Sequence, residues 1–240
     1  MIFRFACAII LSLCAGVMEL ADVLDSKSSG SDTVPVRPRS PAPEKALSLR
    51  QGFIYFKDDS FMKKAVILNA SPRRGCNTDQ ILDLFLSQCN CHTIIYNMYD
   101  ENIEPCTACS VCSETGECFM RDNKHIIDDI LSSDYVIFAT PIYCYSFPAP
   151  MKAFLDRLQP YYSDEKYRNP SFTRKGFVLA SCGKSGKFGI DVIEKQSRIA
   201  FIELSASFDG IYLFPDTDKV SSLQEDEICK VKKLAADFFN

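Results

Sequence analysis

The sequence predicts an α/β protein in which helices cover both faces of a five-stranded parallel sheet. Five short apolar runs of strand length alternate along the chain with five segments whose apolar residues recur at helical spacing. This alternation is typical of parallel sheets that are wound on both faces. The first and third runs, residues 65–70 and 134–140, are almost entirely apolar, as expected of strands that are buried on both sides.

The first half of the predicted sheet contains two strands and two helices. A polar turn after the first strand leads into a helix over residues 79–89, in which the apolar residues fall on one side. Asn77 or Thr78 is expected to cap this helix. Residues 91–97 predict the second strand, and residues 122–131 predict a helix with three isoleucines on one face.

The second half adds three strands, at residues 134–140, 176–181 and 207–215, and three helices, at residues 151–158, 188–204 and 221–239. Pro148 and Pro150 suit the loop or the first turn at the start of the first of these helices. In such sheets ligands bind beyond the carboxyl ends of the strands, where the strand order reverses. This rule directs attention to the loops at residues 71–78, 141–147 and 181–187.

The composition limits the classes of partner. With 240 residues the chain is long enough for one α/β domain and an appendage, so the core needs no disulfides. The net charge of −4 and the pI of about 5.3 disfavour a protein that binds nucleic acid or an anionic membrane, because such proteins normally carry a clustered basic surface. Eight of the twelve cysteines are scattered among apolar or loop residues and are expected to be inert buried side chains.

Residues 1–61 differ in character from the rest of the chain. An apolar run at residues 5–18 has the length of a signal-peptide core and is short for a membrane span, but acidic residues follow it without a clear cleavage site. Residues 25–43 are rich in Ser and Pro and predict a disordered linker. We therefore expect a cytoplasmic protein whose folded domain spans residues 62–240, with Met62 as the hypothesised start and export as the alternative.

The three loops have features that suit a nucleotide. The loop at residues 71–78 combines hydroxyls, an amide, cations and a glycine just before a helix N-terminus, whose free N–H groups and dipole favour a phosphate. It matches neither GxxxxGK[ST] nor GxGxxG, which disfavours a nucleoside triphosphate or a classical dinucleotide. The second loop carries aromatic residues on which a planar ring could rest, and the third has small residues that allow close backbone approach. Each loop alone is compatible with an ordinary turn, but together they point to one ligand.

A loop over residues 105–119 concentrates four cysteines: Cys106, Cys109, Cys112 and Cys118. The spacing C-x₂-C-x₂-C-x₅-C places four thiolate ligands on one tight loop, and the two-residue gaps are typical of a [4Fe–4S] cluster. The spacing of a bacterial ferredoxin has a shorter last gap that is followed by proline, so this loop is not a ferredoxin insert. A zinc site that only orders the loop, or an empty loop of free thiols or disulfides, are the alternatives.

The chain resembles the flavodoxin-like NAD(P)H-dependent FMN reductase family, and in particular its iron–sulfur flavoprotein branch. The resemblance rests on LNASPRRGCNT, IEPCTACSVCSETGEC, DYVIFATPIYCYS and PMKAFLDR, and it covers residues 63 to about 215 in order. It implies a flavodoxin-like fold, FMN as the bound cofactor, a [4Fe–4S] cluster on the four loop cysteines, and a homodimer or homotetramer.

The resemblance also implies which residues contact FMN. Its phosphate would be held by Ser71, Arg73, Asn77 and Thr78. Its isoalloxazine ring would be contacted by Pro141, Ile142, Tyr143 and Cys144, with further contacts from Ser181 and Gly183. The third loop departs from the family pattern because it lacks the two adjacent glycines often found there.

These observations predict an FMN-dependent oxidoreductase that NAD(P)H reduces and that passes electrons to a small-molecule or protein acceptor, by way of the cluster where one is present. The flavin carries the chemistry, so no catalytic side chain is expected. The alternatives are a flavodoxin-type electron carrier without enzymatic activity and a reductase whose cysteine loop holds zinc or nothing. No nucleic-acid or membrane partner is expected.

Four other polar residues are assigned structural roles. His92 and His125, the two histidines, are expected to be structural or surface residues. Asp156 and Arg157, at the end of the PMKAFLDR motif, are expected to form an ion pair on a helix surface or at an interface.

Overall fold

The computed structural model describes residues 62–183, 186–217 and 223–240. The predicted extension, residues 1–61, lies outside the described residues, and so do Cys7 and Cys14.

Five parallel strands form one sheet, which confirms the predicted fold class. The strands are β1 (Lys64–Asn69), β2 (His92–Asn97), β3 (Tyr135–Pro141), β4 (Arg174–Ser181) and β5 (Ala206–Phe214). Their spatial order is β2-β1-β3-β4-β5, and every neighbouring pair is parallel. This is the flavodoxin-like strand order, in which the chain leaves β1 toward one edge and later crosses to the other side.

Helices connect the strands on both faces. They are α1 (Asn77–Leu86), α2 (Val111–Thr115), α3 (Lys124–Leu131), α4 (Ala149–Asp156), α5 (Asp164–Arg168), α6 (Ile190–Glu203) and α7 (Glu225–Phe239), with 3₁₀ turns at Arg121–Asn123, Gln159–Tyr161 and Gly186–Gly189. The five predicted helices are all present with shifted ends. The two five-residue helices, α2 and α5, were not predicted. Among the described residues no helix combines the length and apolarity that a membrane span requires.

The predicted cap of α1 is wrong. The helix begins at Asn77, so Asn77 and Thr78 lie in its first turn rather than before it. Cys76 occupies the N-cap position with an extended backbone, and no side chain forms a capping hydrogen bond there. The first-turn amide groups of α1 are therefore left for solvent or for a ligand.

Two apolar layers cover the sheet. Alternate residues of β1 face opposite sides, so Val66 and Leu68 belong to one cluster and Ala65 and Ile67 to the other. Stacked rings mark each layer: Phe138 of β3 lies 4.5 Å from Phe201 of α6, and Phe85 of α1 lies 4.9 Å from Phe177 of β4 (ring centroids). Burial on both faces explains why the central strands are nearly continuous apolar runs.

The reversal of strand order lies between β1 and β3. The chain after β1 runs over one face toward β2, and the chain after β3 runs toward β4 on the other side. The loops that follow β1 and β3 therefore diverge and leave a crevice at the carboxyl edge of the sheet.

Candidate cofactor site

A cavity of about 400 Å³ occupies this crevice. Its lining comes from the loops after β1, β3, β4 and β5: Ser71, Arg73, Cys76, Asn77, Thr78, Pro141, Ile142, Tyr143, Cys144, Tyr145, Ser181, Cys182, Gly183 and Thr217. All ten residues that the sequence analysis assigned to FMN are among these fourteen. The volume is within the range of ligand sites, about 300–1,000 Å³. The structure thus brings the predicted residues together, and their contact with FMN stays a prediction.

The turn after β1 is held rigidly by its own polar groups. The Ser71 amide donates to Asn69 Oδ1 at 3.0 Å, and the Ser71 hydroxyl donates to the Arg73 carbonyl at 3.1 Å. Asp79 of α1 then accepts from the Gly75 amide at 2.7 Å and from Asn69 Nδ2 at 2.8 Å. These bonds fix the turn against the start of α1, where the uncapped amides and the helix dipole favour an anion.

The two adjacent arginines of this turn have different surroundings. Arg74 pairs with Asp100 at 2.7 Å and also donates to Asn97, so it is committed to the end of β2. Arg73 lines the cavity, and its guanidinium has no hydrogen bond or ion pair within the part of the chain that the structure describes. Arg73 is therefore the cation available to a phosphate at the mouth of the cavity.

A buried hydroxyl pair joins the first loop to β4. Thr78 Oγ1 and Ser181 Oγ lie 2.8 Å apart, and both residues are buried. Asn77 Nδ2 donates to the Thr217 carbonyl at 3.5 Å, which links the same helical turn to the segment after β5. Cys76 and Thr217 were not predicted as site residues, because neither stands out in the sequence; they line the cavity through the turn geometry alone.

The loop after β3 forms a tight turn with an unusual backbone. Tyr143 and Ser146 exchange backbone hydrogen bonds at 3.0 and 2.9 Å, and the two residues between them, Cys144 and Tyr145, have φ values of +48° and +61°. Positive φ at both central positions is the pattern of type I′ turns, which normally recruit Gly or Asn. Non-glycine residues held in this region are strained and cluster at ligand sites. The turn leaves the two tyrosine rings exposed beside the cavity.

Gly189 supports this turn from behind. It immediately precedes α6, and a Cβ atom at this position would lie 2.7 Å from Tyr145 Cα and 2.8 Å from Ile142 Cγ2. A side chain would therefore push the turn toward the cavity. Sequence analysis placed residues 181–187 near the ligand but did not identify this contact, because the close approach joins segments more than forty residues apart.

The four loop cysteines line a second cavity of about 600 Å³. It is formed by the cysteine loop on one side and by the segment after α4 on the other, with Arg157, Gln159 and Tyr162 in its wall. All four cysteines are free thiols; Cys106 and Cys109 are exposed, and Cys112 and Cys118 are half-buried. Four thiols that face one space are the donor set that an iron–sulfur cluster or zinc uses.

No three His, Cys, Asp or Glu side chains within the described residues converge closely enough to hold a metal ion. A zinc knot needs its four sulfurs within about 4 Å of one another, since each Zn–S bond is about 2.3 Å long. The four thiols therefore suit a metal group in two respects: sulfur is a suitable ligand, and all four line the same cavity.

The expected surface pairing of Asp156 with Arg157 is wrong. Asp156 pairs with Lys152 one turn earlier on α4. The Arg157 side chain turns inward and is fully buried, and it is among the largest buried side chains of the described residues. All of its hydrogen bonds go to residues 104–123, the segment that contains the cysteine loop.

Asp122 balances the buried guanidinium. Its Oδ1 lies 2.6 Å from Arg157 Nη2, and its Oδ2 accepts from the Glu104 amide at 2.9 Å. Burial alone would raise the pKa of Asp122, but the hydrogen bonds from Arg157 and from the backbone outweigh it, so this pKa lies below its usual range. Burial likewise opposes the charge of Arg157, yet Asp122 and Cys118 together raise its pKa.

Other predicted assignments have mixed outcomes. His92 is exposed, and His125 is half-exposed with Glu101 Oε2 at 2.9 Å, in keeping with surface roles. The prediction for the scattered cysteines is largely wrong: Cys182 is buried, but Cys76, Cys144 and Cys229 are exposed. Cys89 and Cys91 form a disulfide before β2, which the sequence analysis did not predict.

The sheet order and the crevice at the reversal of strand order define a flavodoxin-like α/β protein. The family model for NADPH-dependent FMN reductase matches residues 63–210, and the chain belongs to this family.

Three curated relatives are named iron–sulfur flavoproteins. The chain is 35% identical over 105 residues to an iron–sulfur flavoprotein of Archaeoglobus fulgidus, a match that covers 41% of this chain and 46% of that protein. It is 30% identical over 94 residues to one of Methanosarcina thermophila, covering 38% and 49%. With an iron–sulfur flavoprotein of Clostridioides difficile it shares 26% identity over 179 residues, covering 72% and 76%. The chain spans about half the length of the first two relatives.

Solved structures share the fold at lower identity. An FMN-dependent NADH-azoreductase of Bacillus anthracis, solved in complex with FMN, superposes with a TM-score of 0.55 at 18% identity, covering 74% of this chain and all of that one (100%). An NAD(P)H:quinone oxidoreductase of Methanothermobacter marburgensis superposes with a TM-score of 0.54 at 16% identity, covering 73% and 96%. At these identities the likeness concerns the fold.

Proposed function

We propose that the protein is an FMN-dependent oxidoreductase that is reduced by NAD(P)H and passes electrons to a small-molecule or protein acceptor. The observation that carries this proposal is the 400 Å³ cavity at the strand-order reversal, which gathers all ten predicted FMN residues from three loops. FMN, when bound, supplies hydride acceptance and one- or two-electron release. Membership of the FMN reductase family and the azoreductase and quinone oxidoreductase names of the structural neighbours agree with this chemistry.

In this proposal the protein binds and orients the flavin. The turn after β1 and the first amides of α1 take the phosphate, with Arg73 as its counter-ion. The turn at residues 143–146 offers backbone groups and two exposed tyrosine rings to the isoalloxazine. The buried Thr78–Ser181 hydroxyl pair fixes the distance between the phosphate end and the β4 end of the site.

Anaerobic stopped-flow reduction tests the proposal. Protein loaded with one FMN is mixed with NADH or with NADPH, and the loss of oxidised flavin absorbance is followed. We expect bleaching with at least one nucleotide, faster than that of free FMN at the same concentration. Bound FMN that neither nucleotide reduces would instead support the flavodoxin-type carrier, and failure to bind FMN at micromolar concentrations would overturn both.

We propose further that the cysteine loop holds a [4Fe–4S] cluster on Cys106, Cys109, Cys112 and Cys118. Support comes from the spacing, from the shared 600 Å³ cavity, and from the iron–sulfur flavoprotein names of the curated relatives. Such a cluster would accept single electrons from the reduced flavin. Iron, sulfide and zinc analysis of protein prepared without oxygen separates the possibilities: about four iron and four sulfide per chain support the cluster, whereas stoichiometric zinc or no metal contradicts it.

Assembly is proposed on the family resemblance, and location on the flanks of the apolar run at residues 5–18, which do not fit a signal peptide. We propose a homodimer or homotetramer, which light scattering on the flavin-loaded protein would test against a monomer. A cytoplasmic location is proposed as well. N-terminal sequencing of native protein would contradict it if the mature chain began between residues 20 and 35.

A further inference from the structure

Arg157 is a fully buried cation whose side-chain hydrogen bonds within the described residues all go to residues 104–123. It sits at the C-terminal end of α4, and its side chain is 0% exposed. The guanidinium reaches across 34 to 53 positions of sequence to residues 104–123. A buried charge with so many partners has one defined position, because losing any partner leaves a desolvated polar group unpaired.

The guanidinium holds both ends of the cysteine loop. Nη1 donates to the Glu104 carbonyl at 2.9 Å, two residues before Cys106. Nη2 donates to the Met120 carbonyl, two residues after Cys118, and to Asp122 Oδ1 at 2.6 Å. The loop therefore starts and ends on the same planar group, which keeps its four cysteines around one cavity.

The remaining donor of this group points at sulfur. Nε–H donates to Cys118 Sγ at 3.2 Å. Asp122 accepts from Nη1 and Nη2, which fixes the plane of the guanidinium and therefore the direction of Nε–H. Within the described residues, Cys118 Sγ is the acceptor of Nε–H. Arg has a fixed fork of donors, so this geometry cannot be reproduced by Lys.

We infer that Arg157 is a positioning residue that holds Cys118 as a cluster ligand and raises the reduction potential of the cluster through its Nε–H···Sγ hydrogen bond. The inference rests on the proposed [4Fe–4S] site. One-electron reduction adds a negative charge to the cluster and its sulfur ligands. A hydrogen-bond donor and a buried positive charge next to a ligand sulfur stabilise this reduced state more than the oxidised one.

A redox titration of two arginine variants tests the inference. Arg157→Lys keeps the positive charge but removes Nε–H from Cys118. Arg174→Lys is the control, since Arg174 is half-buried and donates to the backbone carbonyls of Ile130 and Leu204, at 2.7 and 3.1 Å, and has no sulfur among its hydrogen-bond partners in the described residues. Cluster reduction is followed by visible absorbance and electron paramagnetic resonance.

The ratio of reduced to oxidised cluster is compared at the wild-type midpoint potential. We expect this ratio to fall about fivefold in Arg157→Lys, which is the effect of losing one net hydrogen bond. In Arg174→Lys the ratio should stay unchanged. An Arg157→Lys protein with a full cluster and the wild-type potential overturns the inference while leaving the cluster proposal intact. Wild-type protein without iron overturns the cluster proposal itself.

A measurement on the unaltered protein covers the case in which Arg157→Lys fails to fold. Wild-type protein is labelled with ¹⁵N at arginine only, and pulsed electron paramagnetic resonance is recorded on the reduced cluster. We expect a ¹⁵N coupling that an unlabelled sample lacks, because the Nε–H···Sγ bond connects the nitrogen to the spin-bearing cluster. A reduced cluster without any arginine coupling overturns the inference.

Discussion

Two adjacent arginines in the turn after β1 have different surroundings. The guanidinium of Arg73 lines the crevice cavity and has no hydrogen bond or ion pair within the described residues, whereas that of Arg74 is held by Asp100 and Asn97. The side chains have the same charge and lie in the same turn. Only their surroundings assign one to a ligand and the other to the end of β2.

We predict that Arg73→Ala weakens FMN binding about tenfold or more, the cost of one charge-assisted hydrogen bond to phosphate, with Arg74→Ala as the control that stays near wild type. Quenching of FMN fluorescence on binding measures both. Riboflavin, which lacks the phosphate, should bind the wild type and Arg73→Ala equally. Equal losses of FMN affinity in the two variants would contradict the assignment.

Asp122 makes a second residue-scale prediction, on pH. Because its pKa is lowered in the folded protein, its stabilising contribution is complete above the usual aspartate pKa and is lost as the pH falls through the folded value. We expect Asp122→Asn to be less stable than wild type by about 2 kcal/mol at pH 7. This difference should shrink as the pH falls below about 4.

Urea unfolding over a pH series measures this difference. Asp128→Asn is the matched control: Asp128 pairs with Lys124 on the exposed side of α3, and its side chain is 56% exposed. An exposed pair of this kind contributes little, about 0.5 kcal/mol. A pH-independent difference between wild type and Asp122→Asn would contradict the role given to the carboxylate.

The sequence predicted which residues line the crevice cavity better than it predicted the buried contacts of Arg157. Ser71 and Tyr143 lie two residues after the ends of β1 and β3, so recognising these strands was enough to place both residues at one edge of the sheet. Arg157 was misassigned because its partners lie at least 34 positions away, and a charged residue at a helix end normally faces solvent. The FLDR sequence alone does not distinguish a buried arginine that bonds a distant loop from an arginine in a surface ion pair.

At the scale of elements, strands and long helices follow from the sequence, and short irregular elements do not. Continuous apolar runs give β1 and β3 within about one residue of their observed ends. The cysteine loop contains the five-residue α2 and left-handed backbone at Ala108 and Ser110. Neither residue type favours that conformation, so the sequence carried no signal for it.

The contact between the start of α6 and the turn at residues 143–146 gives an element-scale prediction. We expect Gly189→Ala to weaken FMN binding severalfold and to destabilise the protein by about 1–3 kcal/mol, because the added methyl group collides with Tyr145 and Ile142. Gly176→Ala is the control. Its Cβ would lie 2.5 Å from the Ser207 carbonyl, so it should cost similar stability away from the cavity.

Isothermal titration with FMN and urea unfolding measure the two effects separately. The expected pattern is a loss of stability in both variants and a loss of FMN affinity in Gly189→Ala alone. Wild-type affinity in Gly189→Ala would show that the backbone of the turn does not depend on α6.

At the scale of the whole molecule, the crevice cavity brings together the ends of four strands. Its walls come from the ends of β1, β3, β4 and β5, and a hydroxyl pair and an amide–carbonyl bond already cross between them. A ligand that contacts all of these loops binds only when both halves of the sheet are folded. FMN should therefore stabilise the domain as one unit rather than protect a single loop.

The corresponding prediction is quantitative. FMN at one hundred times its dissociation constant should raise the free energy of unfolding by about 2.7 kcal/mol. At the same FMN concentration, Arg73→Ala, with a tenfold larger dissociation constant, should gain about 1.4 kcal/mol. Urea unfolding followed by far-ultraviolet circular dichroism and by tyrosine fluorescence measures both, and the two probes should give coincident transitions with FMN bound. Stabilisation that one probe reports and the other does not would mean that FMN binds a locally ordered loop, which contradicts a site built from four strand ends.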